Sequence, residues 1–110
     1  MSQTNRPVSV FISYRRKGGF YLAKSIYEHL KARRYDVFMD IHTLGAGQFK
    51  ARTLREIEAH DYFVIVLTQG SLDRMQSEDD WLRREFLTAL AARRTIIPVL
   101  DVDFDSTQQR

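Results

Sequence analysis

A chain of 110 residues with 44% apolar and 28% charged side chains has the size and make-up of one small globular domain. It has no cysteine, which excludes disulfides, thiolate metal centres and a cysteine nucleophile. The formal charge of +3 invites a nucleic-acid reading, but the basic residues are scattered pairs alternating with acidic groups such as Glu78-Asp79-Asp80, not one basic face interleaved with aromatics.

No apolar run approaches the roughly 18 residues of a membrane helix, and Met1 to Pro7 lack the apolar core of a secretory signal. A cytoplasmic protein is expected, with neither nucleic acid nor membrane among its partners. The β-branched and aromatic run Val8-Ser9-Val10-Phe11-Ile12-Ser13 predicts a buried strand. Gly18-Gly19 should break the chain before a helix from Phe20 to about Arg33, with Ala23, Ile26, Tyr27 and Leu30 on its inner face. Asp36-Val37-Phe38-Met39 predicts a second strand ending at Asp40, followed by a loop holding Gly45 and Gly47. A helix is expected from about Phe49 to Ala59, with Leu54 and Ile57 inward.

Tyr62-Phe63-Val64-Ile65-Val66-Leu67 is apolar almost without interruption, as a parallel strand covered on both faces requires. Gly70 and Ser71 turn the chain. Ser77 with Asp80 three residues on reads as a capping box, opening a helix whose Leu82, Phe86, Ala89 and Leu90 should face the core. Thr95-Ile96-Ile97-Pro98-Val99-Leu100 is the fourth strand, and Asp101 to Arg110 shows no pattern. The order β-α-β-α-β-α-β predicts a single α/β domain over 1–110, a flavodoxin-like doubly wound parallel sheet, with tails at 1–7 and 102–110.

Ligands of open parallel sheets bind beyond the carboxyl ends of the strands. Those ends are Ser13-Tyr14-Arg15-Arg16, Asp40 with the glycine loop, Thr68-Gln69-Gly70-Ser71, and Asp101. Trp81 and Glu85 lie one helical turn apart and share a face, which sets an indole beside a carboxylate near that rim. No phosphate loop ending in Lys-Ser/Thr is present, and Gly18-Gly19 lacks dinucleotide-binding spacing. A phosphoacceptor role for Asp40 would need an acidic cluster for magnesium, yet the first strand ends in Ser-Tyr-Arg-Arg. His29, His42 and His60 lack metal-ligand spacing, so no metal is expected.

Several of these stretches together resemble the TIR (Toll/interleukin-1 receptor) domain. Phe11-Ile12-Ser13-Tyr14-Arg15-Arg16 looks like its opening box. Val37-Phe38-Met39-Asp40 with Leu44-Gly45-Ala46-Gly47-Gln48-Phe49 resembles its second strand and the loop after it. Phe63 to Asp73 matches the third strand and serine turn, and Trp81-Leu82-Arg83-Arg84-Glu85 the W-x-x-x-E element of NAD-cleaving members. The pattern is closest to bacterial TIR defence proteins and the animal axon-degeneration NAD-cleaving protein, rather than Toll-receptor adaptors. A complete TIR domain continues with a fifth strand and further helices. The chain is therefore expected to be an abbreviated variant or a module of a longer protein, its sheet truncated after the fourth strand.

The resemblance implies an NAD+ glycohydrolase or ADP-ribosyl cyclase, with NAD+ as substrate and no cofactor. Glu85 takes the position of the catalytic glutamate. Trp81 would stack on a ring of the substrate, and Arg15 and Arg16 would grip its diphosphate. Ser71 would line the rim, and Asp40 would either shape the loop or face the site. Leu44, Gly47 and Phe49 lie in the segment that, in the family, closes over the pocket and packs on a neighbouring protomer. Self-association through the Gly45/Gly47 loop and a fused or partnered sensor domain are implied as well, in an immune or antiphage cell-death response. Plainer roles stand beside these: Arg15 and Arg16 as solvated loop residues, Trp81 as a seal on the helix start, Phe49 as helix packing, and Glu85 as a spectator. The alternative function is a non-catalytic scaffold acting through TIR–TIR contacts.

Overall fold

Successive side chains of a strand point to opposite faces of its sheet, and this parity sorts the core into two layers. In the computed structural model, which describes residues 7–39 and 47–101 and only the backbone at 16, 17 and 47–50, strand β1 spans Ser9–Ser13 and is buried throughout. Its Val10 and Ile12 pack with Val64 and Val66 of β3 (Tyr62–Leu67) beneath Ala23 of helix α1 (Arg16–Ala32). Its Phe11 joins Phe63, Ile65 and Leu67 on the other face, under Ile57 of α2 (Gly47–Ala59) and Leu82 and Ala89 of α4 (Trp81–Ala91). Phe11 stacks between Phe38 and Phe63, with ring centroids at 5.2 and 5.7 Å.

The strands are all parallel, in the order β2-β1-β3-β4, with β2 at Asp36–Met39 and β4 at Thr95–Leu100. This is the expected doubly wound sheet, helices on both faces. Strand order reverses between β1 and β3, so the crevice at their carboxyl ends is where such a fold presents a ligand. Strand β4 lies at an edge, where Pro98 does not interrupt an inner ladder, and it leaves Ile97 41% and Leu100 56% exposed. Among the described residues no helix is long and apolar enough to cross a membrane.

Four local expectations are corrected. Helix α1 begins at Arg16, so Gly18 and Gly19 lie in its first turn, where the Gly19 amide donates to the Arg15 carbonyl at 3.0 Å. Gly18 holds φ at +88°, a value glycine adopts without steric cost. The turn after β3 continues into a short helix, α3 (Ser71–Arg74), behind a left-handed Gly70. Helix α4 is capped by Asp80 rather than Ser77: the Asp80 carboxylate accepts from the Arg83 amide at 3.1 Å. Finally, α4 buries Leu82, Glu85 and Ala89 but leaves Leu90 50% exposed. At about 100° per residue, the buried arc is rotated by about 50° from the one expected, away from Leu90 and toward Glu85.

Candidate functional site

The rotation of α4 carries Glu85 under the end of β1. Ser13 is two residues beyond Phe11, so parity aims it at the same face, and its Oγ donates to Glu85 Oε1 at 2.6 Å. Ser13 is 1% exposed and Glu85 4%. A carboxyl group in such a place is costly unless it is hydrogen-bonded, and the Ser13 hydroxyl supplies one bond.

Two residues further on, Arg15 also reaches α4. Its Nη1 and Nη2 donate to the two carboxylate oxygens of Asp80, at 2.5 and 2.9 Å. Nη2 also donates to the Ser71 carbonyl at 3.1 Å. Burial raises the Asp80 pKa, but the Arg15 hydrogen bond, the Arg83 amide and the charges of Arg15 and Arg74 outweigh it and hold this carboxyl below the ordinary aspartate value.

Ser71, expected on the rim, is instead fully buried. Its hydroxyl accepts from the Thr68 amide at 2.9 Å and lies 3.1 Å from Thr68 Oγ1, closing the turn after β3. Trp81 is half-buried at the start of α4, and the Arg84 guanidinium lies 5.8 Å from its ring centroid, one turn along. Glu85, Trp81, Arg15 and Ser71 are therefore gathered around the carboxyl ends of β1 and β3. Asp40 and Leu44 lie outside the described residues, as do the side chains of Arg16 and Phe49; Gly47 opens α2. A separate groove between α1 and β2, lined by Phe20, Tyr27 and Met39, includes none of the expected site residues.

Two residues of this cluster were absent from the expected site: Ser13 and Asp80. Each carried a signal. Ser13 shares strand parity with the core residue Phe11, and aspartate immediately before an amphipathic run is a favoured helix cap. Among the described residues the cluster holds two hydrogen-bonded carboxylates: Asp80, taken up by Arg15 and the cap of α4, and the buried Glu85, with an indole one turn away. The second suits stabilising a nearby positive charge. Among the described residues there is no group of three His, Cys, Asp or Glu side chains able to hold a metal ion.

The family model for the TIR domain matches residues 10–109. The chain is 39% identical over 108 residues to the protein named NAD(+) hydrolase tir-1 of Caenorhabditis elegans, covering 96% of this chain and 11% of that one. It is 39% identical over 103 residues to NAD(+) hydrolase sarm1 of Drosophila melanogaster (91% of this chain, 8% of that one). It is 37% identical over 103 residues to NAD(+) hydrolase SARM1 of Danio rerio (91% and 14%). The chain thus spans between 8% and 14% of the length of these curated relatives. Among solved structures, the TIR domain of the Toll-related receptor TRR-2 of Hydra magnipapillata matches 81% of this chain and 66% of that one with a TM-score of 0.60. At 18% identity that likeness shows the shared fold.

Proposed function

This chain belongs to the TIR domain family, and on that footing we propose that it cleaves NAD+ at the nicotinamide–ribose bond, with Glu85 as the carboxylate that meets the reacting ribose. The observation that carries the reading is the buried Glu85 carboxylate, held by Ser13 at the switch point of the sheet. Identity of 39% to two proteins named NAD(+) hydrolase supports it.

The chemistry asks little more of the protein. Nicotinamide leaves with the bonding electron pair as a neutral base, and positive charge builds on the ribose. A carboxylate beside that ribose stabilises the oxocarbenium-like state electrostatically, most effectively where water is excluded. Attack by water then gives ADP-ribose, with a proton lost to solvent; attack by a ring nitrogen of the same molecule gives a cyclic product. Trp81 stacks on a ring of the substrate and Arg16 attends its diphosphate. Asp40 and Leu44, with Gly47 and Phe49 at the start of α2, belong to the segment after β2 that closes the pocket. That same segment, with Gly45, mediates self-association, and clustering completes the site as part of an immune or cell-death response.

The test is nicotinamide release from NAD+ by a concentrated or scaffold-clustered sample, compared with Glu85→Gln. Release that stops in the variant supports the proposal; intact NAD+ in a folded, clustered parent sinks it. One observation favours the second reading, a scaffold without catalysis: at 4% exposure, Glu85 is also explained as a strut between α4 and β1. In that case Glu85→Gln assembles like the parent, and neither releases nicotinamide.

A further inference from the structure

We propose that Arg15 and Asp80 form a brace that sets the position of Glu85, so that both act as positioning residues and Arg15 does not bind the substrate diphosphate. The inference rests on the NAD-cleaving reading for its consequence in catalysis, but its geometry stands on the fold alone.

Asp80 does two jobs with one carboxylate. It caps α4 by accepting from the Arg83 amide at 3.1 Å, and it receives the guanidinium fork of Arg15 through both oxygens. Both side chains of the pair are 8% exposed. A buried bidentate pair fixes orientation as well as distance, which a lysine in place of the arginine would not do. Arg15 simultaneously holds the Ser71 carbonyl, so the end of β1, the start of α3 and the start of α4 meet at one guanidinium.

Arg15, the residue before α1, lies two residues after Ser13, the last residue of β1, and Asp80 five residues before Glu85. The junction of β1 and α1 therefore grips α4 at two points: its cap through Arg15, and its carboxylate through Ser13. A helix held at one point can still pivot or slide. Held at two, it presents Glu85 at one height and one rotation relative to the rim. Catalysis is sensitive at this scale, since displacing a reacting group by about 1 Å can lower rate on the order of a hundredfold.

The geometry also speaks against a diphosphate on Arg15. The Nη1/Nη2 fork holds Asp80 and Ser71 through three N–H groups, and Nε is buried, with atom exposure too small for a phosphate to reach it. A phosphate taking the fork would have to displace Asp80, uncap α4 and leave a carboxylate unpaired in a buried place.

The experiment uses two conservative variants of the whole chain, Arg15→Lys and Asp80→Asn. Asparagine caps a helix about as well as aspartate, so Asp80→Asn removes the ion pair and keeps the cap. In clustered protein, kcat for NAD+ should fall by about tenfold or more in both variants, with KM within about twofold of the parent. A KM that rises in Arg15→Lys alone, with kcat unchanged, would overturn the brace and make Arg15 a substrate ligand. A second arm reads the brace without catalysis, by hydrogen exchange at the amides of Arg83, Arg84 and Glu85. These should lose protection in both variants while Val64 and Val66 in β3 keep theirs; unchanged protection at α4 overturns the proposal. If parent and variants all leave NAD+ intact, the NAD-cleaving reading fails and the exchange arm still decides the brace.

Discussion

The Ser13 hydroxyl and the Glu85 carboxylate are 72 residues apart in the chain and 2.6 Å apart in space. The bond joins strand β1 to the helix that carries the candidate site, and it gives a buried carboxyl group a donor. Four consequences of this and neighbouring contacts can be measured.

Ser13→Ala deletes the donor and keeps the backbone. A buried hydrogen bond contributes about 0.5–1.5 kcal/mol. Chemical denaturation should show a loss in that range, and nicotinamide release should fall with it because the carboxylate loses a contact that orients it. A variant with parental stability and activity would show that Glu85 does not depend on Ser13.

Acid should weaken the fold through Asp80. Its folded carboxyl is held below the ordinary aspartate value, so its contribution is fully present above the unfolded value, about 3.9, and is lost as pH falls through the lower folded value. Denaturation midpoints of the parent and Asp80→Asn should therefore differ by a constant amount above about pH 5 and converge as pH falls below the ordinary aspartate range. A gap of constant size throughout would assign the acid sensitivity to other groups.

The adjacent glycines of α1 should respond with opposite sign. Gly18 holds φ at +88° with nothing within 4 Å of an added Cβ, so Gly18→Ala should cost about 1–2 kcal/mol of backbone strain alone. At Gly19 an added Cβ meets Thr68 Cγ2 and Tyr14 Cβ at 3.7 Å, an ordinary contact. Gly19→Ala should then stabilise by about 0.5–1 kcal/mol, as alanine does in helices. Thermal melts of the two variants check the sign; a shift in the same direction would contradict it.

Trp81 separates stacking from sealing. If its ring stacks on the substrate, Trp81→Ala should raise KM for NAD+ by up to about tenfold, the equivalent of about 1.4 kcal/mol, with Trp81→Phe between variant and parent. If the indole only closes the start of α4, the alanine variant should melt earlier with KM unchanged.

Much of this protein is legible in local pattern. The β-branched runs at β1, β3 and β4 mark their strands almost to the residue, because strand formation there rests on apolar side chains covered by helices. The one-turn spacing of Trp81 and Glu85 and the α/β order follow from the same periodicities. Leu90 and Ser71 did not, nor did the partners of Glu85 and Arg15. An apolar residue at helical spacing shows where a core-facing stripe can be, but the rotation of α4 depends on what it meets: Leu82 and Ala89 against Phe63 and Leu67, and Glu85 against Ser13. In local pattern Arg15 reads as a rim cation; its fork binds Asp80, 65 residues away.

By itself the sequence determined the four strands, the three longer helices and their order, because hydrophobic period acts over a few residues. Only the tertiary structure decided what the carboxylates bind. The order β2-β1-β3-β4 sets the central strand beneath α4, and that contact between distant segments selects Ser13 for Glu85 and Arg15 for Asp80.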